Sequence, residues 1–443
     1  MNASISTATT FSRRAAGRAL ALAAALACAG LGAPSWAMDL SQAYEAAMAQ
    51  DATVRAARAT HASRQERLPQ TRSQLLPSLS FSASRNRNAL ESTTPNFLGT
   101  LSTTHRDYTS SSETLTLKQP IFRAYQIADY RQAQAQANEA DATLERELQN
   151  VAVRVSGAYF EALLTAEQLA LVQAQKTTYT SQLDAAKKRF AAGAGTRTDI
   201  DEAQAALDLN VAQELEARQN VDFTRRQLQT LVNQPIGTLA TLDAGKMVLV
   251  PPSPNRLEDW TERAEAHSPE LRALQAQLQA ARHEVQKAQA GHYPTLDAVV
   301  QWSRSESETV TSVNSRYVNR SVGLQLNVPL FASGYVNSTV RQALAEQERA
   351  EQALEATRRD LGVRVHREFR GVTEGVLRVR ALEQAVRSAE QVALSNRRAF
   401  EAGSRTLNDT LNAEQQKATA QRDLAQARLV YLISRVRLQA LTG

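Results

Sequence analysis

Two aspartates, Asp199 and Asp409, occupy the same place in a phrase that the chain writes twice. "FAAGAGTRTDIDEA" runs from Phe190 to Ala203, and "FEAGSRTLNDTLNA" runs from Phe400 to Ala413, 210 residues later. In both copies a Phe is followed at the same distances by Ala, Gly, Thr, Asp and Ala. Gly193 and Gly403 suit the left-handed residue that ends a helix, and Thr196 and Thr406 suit the cap that starts the next. An acid three residues past the cap is favoured by the helix dipole alone. A second reading is that the pair of acids serves one repeated helix–turn–helix site.

Other chemistry is not set up. The six histidines (His61, His105, His267, His283, His292 and His366) have no metal-ligand spacing. Gly193 and Gly195 fall in an interhelical turn without a phosphate cradle, and there is no Gly-x-Ser-x-Gly elbow. The expectation is therefore no enzyme, no cofactor and no metal.

The repeated phrase belongs to a larger repeat. "LSQAYEAAMAQDATVRA" from Leu40 aligns with "LEDWTERAEAHSPELRA" from Leu257, and the segments around Pro77 and Pro294 keep the same offset of 217. "LTLKQPIF", ending at Phe122, aligns with "LQLNVPLF", ending at Phe331. Internal repeats of this kind set the architecture before any single element does. The organisation expected is an export leader over 1–37, a first repeat over 38–233, a Pro- and Gly-rich connector over 234–256, and a second repeat over 257–443. Each repeat reads as a helical stretch, two strands, a very long helix, the tip turn and a last helix. The strands are placed at about 78–90 and 110–121, then at about 295–304 and 317–330.

Alternation carries the strand assignment. Val322, Leu324, Leu326, Val328 and Leu330 take one face, while Ser321, Gly323, Gln325 and Asn327 take the other. Pro77 and Pro294 mark the passage from helix to strand, and Pro120 and Pro329 the passage back. The long helices span about Ala124 to Phe190 and Tyr335 to Phe400, each reaching about 100 Å if continuous. Their seams read Leu144, Leu148, Val151, Val155, Ala162 and Leu169, and Leu361, Val365, Phe369, Val372, Val376, Val379 and Val386. The loops at about 88–107 and 304–316 give no readable substrate preference.

Arg13, Arg14 and Arg18 followed by "ALALAAALACAGLG" and Ser35-Trp36-Ala37 read as a cleavable leader. Its removal takes the formal charge from +6 to +3 and takes away the sole cysteine, Cys28. Nucleic acid then loses its electrostatic support as a partner. The segment ending at Cys28 is a poor lipoprotein box, since Ala25 stands where such a box prefers Leu. The mature chain has no apolar run long enough for a transmembrane helix, so only strands could cross a membrane. Four strands cannot close a transmembrane barrel, so chains that insert must share one, and three would give twelve strands. A small soluble sheet covered by helices is the alternative.

The two phrases and the ending "RLQALTG" together resemble the TolC family of outer membrane ducts, across essentially the whole mature chain. The resemblance implies a mainly α fold with a transmembrane β-barrel contribution: a homotrimer sharing a twelve-stranded barrel in outer membrane lipid, with a long periplasmic helical coiled-coil tunnel. It implies a passive channel for drug efflux or type I protein secretion, recruited by a periplasmic adaptor and an inner-membrane ABC or proton-driven transporter. It places the gate at the repeated tips. Arg405 matches an arginine that bonds across to the first phrase, where Thr198 and Asp199 stand. Phe400 matches a tyrosine sharing that link, so a hydroxyl is missing. Asp409 matches an aspartate that rings the constriction, and Asn412 replaces a second one. A non-conducting periplasmic coiled-coil scaffold or adaptor is the alternative function; it explains the helices but not the mirrored strands.

Overall fold

The computed structural model describes residues 37–95, 97–241, 247–307 and 315–442. The leader expectation over 1–37 therefore falls almost wholly outside the described residues, as do parts of the connector and of the second loop.

The first repeat holds α1 (Leu40–Gln50), α2 (Ala52–Gln65), α3 (Arg67–Ser73), β1 (Ser78–Pro95), β2 (Leu101–Phe122), α4 (Ala124–Ala191) and α5 (Arg197–Val232). The second holds α6 (Leu257–His267), α7 (Pro269–Gln289), β3 (Thr295–Ser307), β4 (Ser315–Asn327), α8 (Tyr335–Glu401) and α9 (Leu407–Thr442). Each leading helical stretch is broken where the sequence reading had one helix. The Asp51 carboxylate accepts from the Thr53 amide at 2.7 Å and so caps α2. Ser268 accepts from the Leu271 amide, with Pro269 opening α7. Both are ordinary N-caps, and Pro at the first helical position has no amide to lose.

β1 to β4 form one antiparallel meander in the order β1-β2-β3-β4, with β1 and β4 as its edges. The first hairpin reaches well beyond the expected strand limits, to Pro95 and back from Leu101. Polar cross-strand pairs sustain it there, such as the Thr93 and Thr103 hydroxyls at 2.9 Å, where no hydrophobic alternation exists to be read. β4 stops at Asn327, short of 330, because Pro329 has no amide for the ladder. Pro77, Pro294 and Pro329 lie in the joints between helical segments and strands. Pro120 sits inside β2, where the register against β3 shifts between Pro120 and Phe122.

Paired residues share a face, and the ladder sorts the sheet into two. One face carries rungs such as Leu79–Leu117–Val300–Val322 and Phe81–Leu115–Trp302. The other carries Ser80–Thr116–Gln301–Ser321 and Ser82–Thr114–Ser303–Asn319. The apolar side is open: Leu79 is 67% and Val322 is 83% exposed. At the helix end of the sheet the buried Asp297 accepts from Arg123 Nε at 2.7 Å and from a second guanidinium nitrogen at 2.6 Å. Lys118 Nζ stands 3.0 Å away. This cluster ties the end of the first repeat's strand pair to β3 of the second.

The chain divides into two units, and each draws on both repeats. One comprises Met1–Gln50, Val155–Leu249 and Ser388–Ala425. In it α1 packs on α5 through Ala43, Ala47, Leu228 and Val232, all fully buried. Met38 pairs with Leu239 in a parallel bridge, and the Tyr159 hydroxyl lies 3.1 Å from the carbonyls of Met38 and Ala240. The other comprises Asp51–Arg154, Val250–Arg387 and Gln426–Gly443 and contains the sheet. Its α8 seam buries Leu361, Val365, Phe369, Val372, Val376 and Val379. A Cβ at Gly371 would stand 2.6 Å from Ser434 Oγ, so a glycine there lets α9 pack close against α8.

Candidate functional site

The two repeated turns lie in the first unit and are built alike. α4 ends with Gly193 at φ 73°, and α8 with Gly403 at φ 79°. In the first turn the Gly193 amide donates to Phe190 O at 3.0 Å, and Ala194 to Arg189 O at 2.9 Å. In the second, Gly403 donates to Phe400 O at 3.0 Å, and Ser404 to Ala399 O at 2.9 Å. These are paired Schellman closures, which need a left-handed residue that glycine adopts at no steric cost.

Each turn then opens its next helix with a reciprocal cap. Asp199 N donates to Thr196 Oγ1 at 3.1 Å, and Thr196 N donates to Asp199 Oδ2 at 2.9 Å. In the second copy Asp409 N donates to Thr406 Oγ1 at 3.2 Å, while Thr406 N and its hydroxyl donate to Asp409 Oδ2 at 3.1 and 2.9 Å. Both acids thus have a local structural role, the simpler of the two sequence readings. The Thr406 bonds, with the Arg405 charge, hold the Asp409 carboxyl below the usual aspartate range.

Within one chain the expected cross-link is not made. Arg405, in the turn, has its Nη1 3.9 Å from Oδ1 of Asp409, four residues on in the first turn of α9. Among the described residues no hydrogen bond or ion pair joins Arg405 to Thr198 or Asp199. Thr198 is exposed, and the Asn412 amide donates to Asn408 Oδ1 at 3.2 Å.

What brings the two phrases together is apolar. Tyr179, Leu183 and Ala186 of α4, Ala203 of α5, and Leu407 and Leu411 of α9 form one buried cluster. Phe400 packs on it together with Ile200, Ala206 and Leu207. The Arg189 guanidinium lies over the Phe400 ring, 4.2 Å from its centroid. Its equivalent, Phe190, is exposed. The sequence reading missed Arg189. Its only signal is its place beside Phe190 in the first phrase, where the second phrase has Ala399.

Deeper along the same helices, polar side chains are held by opposite charges. Glu414, buried, accepts from Arg397 and from Lys417 Nζ at 2.8 Å. Glu214, buried, accepts from Lys176 Nζ at 2.7 Å and from Arg218, and these cations, Lys176 foremost, hold its carboxyl below the usual range. Among the described residues no group of three or more His, Cys, Asp or Glu could hold a metal ion, and no helix is long and apolar enough to cross a membrane. The arrangement ends one helix at each turn, caps the next with an acid, and packs the two turns on one apolar cluster.

Compared with known proteins, residues 43–234 and 260–443 match the model of a family described as "Outer membrane efflux protein". The chain is 34% identical over 410 residues to the "Alkaline protease secretion protein AprF" of Pseudomonas aeruginosa, covering 92% of this chain and 85% of that one. It is 29% identical to the "Outer membrane protein TolC" of Escherichia coli, covering 94% and 85%. The Campylobacter jejuni CmeC outer membrane channel shares its fold, with a TM-score of 0.79 at 17% identity over 91% of this chain and 85% of that one.

Proposed function

The chain belongs to the outer membrane efflux protein family, and from that premise we propose that three copies share one barrel and form a gated export duct. It is an export channel of the outer membrane, reaching into the periplasm. The observation that carries the trimer is the sheet: four strands, two unpaired edges, an apolar face and a hydroxyl face. An edge left open in lipid costs several kcal/mol for each unpaired backbone group. Three sheets joined β4 to β1 remove every edge and enclose a water-filled lumen lined by Ser, Thr, Asn and Gln. A scaffold outside the membrane would leave the exposed apolar rungs without a fitting environment.

The duct is passive and takes its energy from an inner-membrane transporter through a periplasmic adaptor. The protease-secretion names among its relatives favour secreted protein as a cargo, and the TolC and CmeC likenesses favour efflux beside it. The gate is the pair of repeated tips. Phe400 and Arg189 hold the two phrases of one chain together. Arg405 is 57% exposed and only loosely paired at 3.9 Å, which leaves its guanidinium available for the gate's link to Thr198 and Asp199 of a neighbouring copy. Such exposed links contribute about 0–1 kcal/mol each, which suits a gate that has to open. Asp409, with Asn412 a turn further on, sets the charge of the throat.

The test is biochemical. The protein should fractionate with the outer membrane and run as a detergent-stable trimer. Release as a soluble monomer by osmotic shock would contradict the shared barrel.

A further inference from the structure

The apolar face of the sheet does not stay apolar. Toward the hairpin turns, past the Trp302 rung, the same face carries Ala83–Glu113–Arg304–Val318 and then Arg85–Ser111–Glu306–Arg316. Arg320 sits within the band itself, paired in the ladder with Trp302 beside Leu115 and Phe81. Glu306 accepts from Arg304 at 2.6 Å and from Arg316 Nε at 2.6 Å, and Arg87 lies 3.5 Å from Asp107. Arg85 and Arg320 have no charged or hydrogen-bonding partner among the described residues. Five arginines thus share the face with four acids, Asp107, Glu113, Glu306 and, at the outermost of these rungs, Glu91, which lies 4.0 Å from His105. A hollow of about 780 Å³ opens among Arg85, Arg316, Glu113 and Glu306.

We propose that this belt binds the phosphate groups of anionic lipid in the outer leaflet. The proposal rests on the shared-barrel reading, which turns the apolar face toward lipid and the hairpin ends away from the periplasmic helices. A guanidinium on the lipid face is costly at mid-membrane and tolerable near the headgroups. At Arg320 the neighbours are apolar, so a headgroup anion is the partner that removes the cost. Guanidinium groups take phosphate in a bidentate geometry, and the hollow places Arg85 and Arg316 on its rim. From Ser82 to Asn88 the lumen face opposite carries hydroxyl, amide and aromatic groups, and its first cation, Arg106, stands beyond them, so around the hollow the anion has one side to approach from.

The test uses the full trimer in phosphatidylcholine nanodiscs containing diphosphorylated lipid A, with dephosphorylated lipid A of the same acyl chains in parallel. Retained lipid is counted by native mass spectrometry. Wild type should keep the phosphorylated form preferentially, and Arg85→Gln/Arg316→Gln/Arg320→Gln should lose the preference by roughly 100-fold, as three interfacial cations dictate. Glu113→Gln should retain more of it, an opposite-sign variant that does not depend on the triple variant folding. Millimolar inorganic phosphate should not compete; full competition would make this a free-anion site and overturn the proposal. Equal retention of both lipids, or an unaffected triple variant, would overturn it too. Channel conductance in the same preparation separates the failures. Steps without lipid preference sink the belt alone, whereas neither trimer nor steps sinks the duct and the belt with it.

Discussion

Beside the apolar cluster, Arg189 over the Phe400 ring joins the two phrases within one chain, and it is made of a cation and a ring where the resemblance implies a polar link. A cation–π contact at a partly open site contributes about 0.5–1 kcal/mol. Arg189→Gln should then shift the closed-to-open ratio about two- to five-fold in single-channel recordings. Phe400→Ala also removes apolar packing on Leu407 and Leu411, and should shift it about ten-fold or more. Equal open probabilities in both variants and wild type would remove this contact from the gate. Asp409 carries a pH dependence. Its carboxyl is held low in the folded tip, so its contribution is complete above the ordinary aspartate value, near pH 4, and fades as pH falls through the lower folded value. Open probability should therefore be flat in this respect from pH 7 to 5 and rise below about pH 4, and Asp409→Asn should lack the acid rise. The glycines and threonines of the tips were legible because each conformation has one cheap residue. Arg189 was not, because no period or spacing says which ring an arginine will cover.

At the scale of elements, the long helices were legible through their seams: Val151, Val155 and Ala162 in α4, and Leu361 through Val379 in α8, are buried as steps of three and four require. The helix breaks at Asp51 and Ser268 were also written, as N-caps, but lie inside stretches whose composition stays helical throughout. The outer half of the β1–β2 hairpin was not legible at all. Its ladder is polar on both faces, and strand pairing there is a tertiary fact. The junction at Asp297 was hidden for another reason, since Arg123 and Asp297 are 174 residues apart. Removing one member of a buried ion cluster leaves charge uncompensated and costs about 3–5 kcal/mol. Asp297→Ala should lower the trimer's thermal midpoint accordingly, and Asp297→Asn less, because an amide can still accept from Arg123. An unchanged midpoint in thermal unfolding would show the cluster to be dispensable.

At the scale of the molecule, the duplication was visible as offsets of 209–217 residues, while the division into units was not. Each unit takes pieces of both repeats, so that the sheet combines β1–β2 with β3–β4 and the tips combine α4–α5 with α8–α9. A sequence repeat reports the origin of the parts, and packing decides how they are grouped. The sheet's open edges then ask for further copies, and the tips ask for something that opens them. Single-channel recording of the purified trimer in a planar bilayer tests this most directly, with Arg405→Ser beside wild type. The account predicts small, cation-leaning steps for wild type and a markedly higher open probability for Arg405→Ser. Well-inserted protein that gives no steps in either form would contradict a gated duct.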